Sequence, residues 1–468
     1  MKLRSTLIIL GICVLMLIVG IVIWATHDEA PLDYSSMAIE IGPKDASVNG
    51  YTRLQEIGDS LEFDMSKLKE RLEDGSPPEL SPFAFEPYLL NQDDQQTLVD
   101  INLSNNEPIR EAFALEHFQS DEAPDINFNI KGVGEYLSYV RVNCLKARLL
   151  TINGDPDGAL ETLLQLDQEI KRLANSHGGL VILLSATAGA RLTNEELTYL
   201  LSHSQPSKAA LKNALQNYPL RGQLTHGLPA AIKWEFQLAM SSLDQLENDP
   251  QGLKYCIDEL EYLPNALISL VYKPNTTKNI FFAYSNQLLK NTTLPVDERV
   301  EAFPERRSIP RMIIGGNVVG EMSAGMLLPI IDKMPYRLLH CDIESEYVYL
   351  MLAIRLYEME HGALPPTLDA LVPDYIDAVP LDPYDDQPLR YDAKRAIIYS
   401  VGEDGVDDGG SAYLSRLDYA HPDYEQSIDY EEIAEEDEEE PTYHIRFDLE
   451  PRTFERAPVE PAPTEQQP

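Results

Sequence analysis

The residues best suited to chemistry lie in one short loop. Ser400 to Gly410 follows the β-branched run Ile397-Ile398 and sets Asp404, Asp407 and Asp408 among Gly402, Gly405, Gly409 and Gly410. Hard Ca²⁺ takes about six to eight oxygens from carboxylates and backbone carbonyls. The aspartates supply the first kind, and glycine lets the backbone turn its carbonyls inward. Asp404, Asp407, Asp408 and Ser400 are therefore the candidate ligands of a structural Ca²⁺. The competing reading is a solvated Asp-Gly turn joining two strands.

A second cluster, His340-Cys341-Asp342 with Glu344, holds residue types that bind zinc. Neighbouring ligands on one helix diverge, whereas a tetrahedral site needs convergent ones, so these read as a helix start. His361 falls at a helix end, where a cation is favourable, and reads as a cap. The chain has no GxSxG, HExxH, P-loop or Rossmann glycine pattern. These observations favour a non-enzymatic structural or interaction protein with no catalytic residues. The alternative is an extracytoplasmic hydrolase-like enzyme without a local motif.

The elements that would position the loop come just before it. Tyr347, Leu350, Met351, Ile354 and Tyr357 recur at helical spacing up to His361-Gly362. Next come Leu364-Pro365, Leu368-Asp369-Ala370-Leu371-Val372-Pro373, Val379-Pro380-Leu381-Asp382-Pro383-Tyr384, Leu389-Arg390-Tyr391 and Tyr399-Ser400-Val401-Gly402-Glu403-Asp404-Gly405. This segment, about 347–410, resembles the C-terminal part of the major pseudopilins of type II secretion systems. The resemblance implies a helix followed by a small sheet, and a last loop that binds calcium, with Asp404 as the matching ligand. The family's second acid would fall where this chain has Ser411-Ala412, so Asp407 or Asp408 would have to replace it. The chain also lacks the pseudopilin start: Gly11 is followed by Ile12-Cys13-Val14-Leu15-Met16, with Met16 in place of the glutamate. About three hundred residues then precede the module, so this is no fibre subunit. As a whole the chain resembles membrane-anchored bacterial proteins that join a helical region to such a module.

Charge and hydropathy place the rest of its 468 residues. Met1 to Arg4 is basic and Leu7–Ala25 is apolar throughout, close to the ~20 residues that cross a bilayer as a helix. Lys2 and Arg4 precede that stretch and His27-Asp28-Glu29 follow it, so the positive-inside rule keeps the N-terminus in the cytoplasm. Residues 1–27 thus read as an uncleaved signal-anchor in a bacterial cytoplasmic membrane, with the bulk of the chain on the periplasmic side. Other envelope proteins are the expected partners. The net charge of −40 repels nucleic acid and excludes it as a partner. Residues 429–468 carry 14 acids and three bases, so most of that charge precedes them.

Residues 28–50 read as a linker, and 51–335 as an α-helical domain. Its clearest unit is a hairpin over 134–175. Leu137, Val140, Cys144, Ala147 and Leu150 line one helix, Gly154-Asp155-Pro156-Asp157-Gly158 turns, and Ala159, Leu160, Leu163, Leu164, Leu166 and Ile170 line the next. The pair resembles a tetratricopeptide-type unit, although no second copy follows at the ~34-residue period. Gly179 to Ala190 is too short to span a membrane and reads as a buried helix. Asn275-Thr276-Thr277 matches a glycosylation sequon but reads as a helix cap after Pro274. The apolar run Met312 to Ile331 is interrupted by Asn317, Glu321 and Pro329, which argues against a second crossing. Cys144, Cys256 and Cys341 are widely spaced and read as mostly unpaired, buried thiols.

Residues 336–450 read as an α+β module with a short antiparallel sheet and an acidic insertion at 418–440. Thr442 to Leu449 alternates like a half-buried strand, and 451–468 has the composition of a disordered tail. The expected fold is therefore mainly α.

Overall fold

A computed structural model describes residues 27–64, 91–124, 132–218, 224–248, 272–300, 334–402 and 446–449, with Met16 and parts of 317–324 and 405–410. Its helices are α1 (Gly50–Gly58), α2 (Gln92–Asn102), α3 (Asn106–Ala114), α4 (Val133–Ile152), α5 (Pro156–Ala174), α6 (Leu180–His203), α7 (Lys208–Asn217), α8 (Leu228–Asn248), α9 (Pro274–Asn291) and α10 (Met334–His361). Strands β1 (Arg390–Asp392), β2 (Ile397–Tyr399) and β3 (Arg446–Asp448) form an antiparallel sheet with β2 in the middle. The fold is mainly helical with one small sheet. Of the apolar stretch Leu7–Ala25 only Met16 is described, so the anchor reading lies outside the described residues, as do the acidic insertion and the tail. Among the described residues no helix is long and apolar enough to cross a membrane.

The hairpin forms where its pattern places it. The Asp155 carboxylate accepts the Gly158 N–H at 3.0 Å, Pro156 sits in the first turn of α5, and Gly154 turns the chain at φ 85°. Helices α4, α5 and α6 then pack on one another. One apolar face on α4 proves too few. Tyr136, Tyr139, Val140, Cys144 and Ala147 join the main core, while Leu145 and Leu149 form a second seam with Leu98 and Val99 of α2. A helix covered on two sides buries most of its circumference, which blurs a single-stripe pattern. Cys144 and Cys341 are free, buried thiols, and burial pushes both well above the usual thiol range.

The expected linker, residues 28–50, is instead a packed strap. Met37 and Asn49 are 0% exposed, and Tyr34 sits against Phe236 of α8 and Phe282 of α9. The Asn49 side chain accepts the N–H groups of Tyr51 and Gln119 and donates to the carbonyls of Pro43 and Gln119. Buried polar groups need such partners, and here a polar stretch finds them on the body. Gly50 lies so close to α3 that a Cβ would come within 1.9 Å of the Ala112 carbonyl oxygen.

Helix ends explain why so many polar side chains are committed. The residues preceding α6, α9 and the 225–227 turn ahead of α8 make no side-chain cap. Distant groups serve instead. Glu235 accepts the Leu180 N–H at 2.8 Å, and Asp342 accepts those of Leu224 and Thr225 at 3.2 and 3.1 Å. Asp28 accepts those of Asn275 and Thr276 at 2.8 and 2.9 Å, and Asn317 accepts that of Lys273 at 2.9 Å. At the other pole, Arg172 donates to the carbonyls of Phe113, Leu115 and Glu116 beyond α3, and Arg355 to that of Leu201 in the last turn of α6. Acids at N-termini and cations at C-termini are the placement the helix dipole favours. The cap expected at Asn275 does not form: Asn275 lies inside α9, whose first turn is held by Asp28.

One of these caps gives a pH prediction. Burial raises the Glu235 carboxyl above its ordinary value. Its ionised form is therefore penalised in the fold, and the penalty fades as pH falls through the folded value toward the unfolded one. Glu235→Gln keeps an oxygen for Leu180 and cannot ionise. Its unfolding midpoint should exceed the wild type's near pH ~8, and the difference should vanish by pH ~4. A midpoint series across that range checks this; a variant less stable at the alkaline end refutes it.

Helix α10 joins the two expected regions. It packs on α6 and α7 and leads on to the 368–371 turn and the sheet. One cluster of buried side chains runs from Met37 through Tyr347, Met351 and Ile354 to Ile398 and Leu449. Arg355 donates to the carbonyls of both Leu201 and Leu449, and Glu360 holds Lys208 at 2.7 Å and the Tyr375 hydroxyl at 2.6 Å.

Candidate functional site

The loop after β2 is governed by a carboxylate outside it. Asp382 lies in a tight loop closed by Leu389 N–H to Pro380 O at 2.9 Å and Asp382 N–H to Gln387 O at 2.6 Å. Its side chain is 0% exposed. It accepts from Ser400 Oγ at 3.0 Å, Val401 N at 2.9 Å, Tyr384 N at 3.1 Å and Arg390 Nη1 at 2.8 Å. A carboxylate offers about four lone-pair positions, so this one is saturated. It anchors two backbone N–H groups, a hydroxyl and a guanidinium.

Arg390, on β1, spreads the node outward. It also binds both oxygens of Asp385 and lies 3.9 Å from Asp407. The Arg390 guanidinium holds the Asp385 carboxyl below the usual range. At the far end of the loop, Arg395 donates to the carbonyls of Gly409 and Gly410 while also pairing with Asp392 at 2.7 Å. Gly402, Gly405, Gly409 and Gly410 all have positive φ, between 66° and 76°, which is the conformational freedom the loop requires.

Of the expected calcium ligands, only Ser400 and Asp407 are among the described residues. Asp404 and Asp408 lie outside the described residues. Ser400 is buried, with its hydroxyl donated to Asp382 and accepting the Gly402 N–H at 3.1 Å, so it is no ligand facing the loop. Asp407 is exposed, takes the Gly409 N–H at 2.9 Å and faces Arg390. The Gly409 and Gly410 carbonyls receive Arg395, and Arg390 faces Asp407. Among the described residues no group of three His, Cys, Asp or Glu side chains could hold a metal ion.

The zinc-like cluster does not start a helix but lies inside α10, which runs from Met334. His340 meets Glu344 at 3.3 Å, Cys341 is buried in the core, and Asp342 caps the 224–225 backbone. His361 stacks on Tyr357 with a ring nitrogen 3.0 Å from the Tyr357 carbonyl, as a C-terminal cap should. Sequence reasoning missed Asp382, Asp385, Arg390 and Arg395 as a unit. A signal was present: Asp382 is an acid framed by Pro380-Leu381 and Pro383, a turn composition in which an aspartate accepts nearby backbone N–H groups.

Compared with known proteins, the chain matches no family model, no curated protein and no solved structure. The fold is a helical body with a small C-terminal sheet, beside which Asp382 and Arg390 form a charged node.

Proposed function

We propose that this is a single-pass, membrane-anchored extracytoplasmic protein with a structural or interaction role, held at the bacterial cytoplasmic membrane by Leu7–Ala25. The observation that carries the reading is the strap. Polar residues directly after the apolar stretch are built into the body through Asp28, Tyr34, Met37 and Asn49, as suits a chain that leaves a bilayer and folds at once. Buried charges are turned inward on one another, Arg148 on Glu196 and Lys171 on Asp167, both at 2.8 Å, which suits a scaffold better than a reaction centre. Docking to other envelope components is the corresponding role, and the pseudopilin-like order of 347–410 points the same way. Alkaline carbonate should leave the full chain in the membrane fraction and release a chain starting at Asp28. Extraction of the full chain would overturn the reading.

The C-terminal loop, in this proposal, is clamped by arginine in place of calcium. The unfolding midpoint of the chain from residue 28 onward should be the same in millimolar calcium and in chelator. A calcium-dependent rise that disappears in Asp404→Ala would instead restore the ion site.

A further inference from the structure

The strap also fixes how far the body can stand from the bilayer. Asp28 holds two backbone N–H groups of the first turn of α9 and the Thr276 hydroxyl at 2.8 Å. One turn further on, the Asn279 carboxamide accepts from Leu32 N at 3.1 Å and Tyr34 Oη at 2.7 Å. It donates to the Glu29 carboxylate at 3.1 Å and the Ala30 carbonyl at 3.0 Å. These seven contacts pin residues 28–34 to the start of α9, and Tyr34 is wedged between Phe236 and Phe282 behind them. No slack remains after Asp28.

Before Asp28, the sequence has little to spend. Three residue steps separate Ala25 from Asp28, a reach of at most about 10 Å. The headgroup layer on each side of a bilayer is about 5–7 Å deep, taking a ~30 Å core within a ~40–45 Å membrane. We infer that the N-terminal turn of α9, around Asn275 and Thr276, is held at the phospholipid headgroup surface, so the body sits on the membrane in one orientation. This rests on the anchor reading above. The partner of this face is the headgroup layer itself, and the strap acts as a rigid mount.

The test uses the full chain in phospholipid nanodiscs containing a headgroup-nitroxide lipid. A fluorophore is attached at Asn275→Cys, with Cys13 and Cys256 changed to serine and the buried Cys144 and Cys341 retained. The label should be strongly quenched. Six Gly/Ser residues inserted between Thr26 and His27 leave every strap contact in place and add a flexible tether of about 12–15 Å, so quenching should fall about two-fold or more. Asp28→Ala with Asn279→Ala should have the same effect by freeing residues 28–33. A label that is unquenched without the insertion, or quenched equally with it, overturns the inference. Failure of the full chain to enter the nanodisc strikes the anchor reading instead, before any quenching is read.

Discussion

Replacing Asp382 with alanine should cost about 3–5 kcal/mol of stability, since each buried donor left without an acceptor costs about 1–3 kcal/mol. Three donors lose their acceptor together, the Ser400 hydroxyl and the N–H groups of Val401 and Tyr384, while Arg390 Nη1 keeps Asp385. Ser400 and Val401 are buried, so their unpaired donors keep their desolvation penalty. Asp382→Asn should fall between wild type and alanine, because its amide oxygen still accepts while its charge no longer answers Arg390. Arg390→Ala should cost less than Asp382→Ala, since Asp382 would keep three neutral donors. Denaturant unfolding with a common m-value gives all three quantities. A loss under about 1 kcal/mol for Asp382→Ala would show that the node is not what holds the loop.

A second large effect is expected in the helical body. Arg148 of α4 forms a bidentate pair with Glu196 of α6 at 2.8 and 3.0 Å, with side chains 7% and 5% exposed, and its guanidinium lies over the Tyr199 ring. Arg148→Met leaves Glu196 charged and buried, at a cost of about 3–5 kcal/mol. Arg148→Met combined with Glu196→Leu removes both charges and should recover most of that loss, because desolvating a pair offsets much of its attraction. A double-mutant cycle on unfolding free energies decides the matter. If the double variant is as unstable as the sum of the singles, the two residues act independently and the pair is not the unit of stability.

Much of the helical framework was legible in the sequence. The hairpin around Gly154 lies where apolar spacing and Pro156 place it, because those signals act within a few residues, whereas the helix expected over Gly179–Ala190 runs on to His203. Shorter elements are set from further away. Helix α1 begins at Gly50, under Asn49, and α3 stops at Ala114. In both places the chain packs against a distant segment, which local propensity does not register. The candidate loop was legible only as glycine and aspartate content. Its actual restraints come from Asp382, eighteen residues before Ser400, and from Arg390 and Arg395 on the hairpin.

By itself, then, the sequence determined the helix periods, the turn chemistry, the apolar stretch at Leu7–Ala25 and the acidic surface. Tertiary structure alone decided which polar residue meets which helix end. Asp28 caps a turn 247 residues away, Glu235 one 55 residues before it, and Asp342 one about 118 residues before it. A helix terminus offers the same N–H groups to any carboxylate that reaches it, and the entropy of closing a loop grows only with the logarithm of its length. Distance along the chain therefore carries almost no information about the partner. The choice belongs to the packed core that brings the ends together.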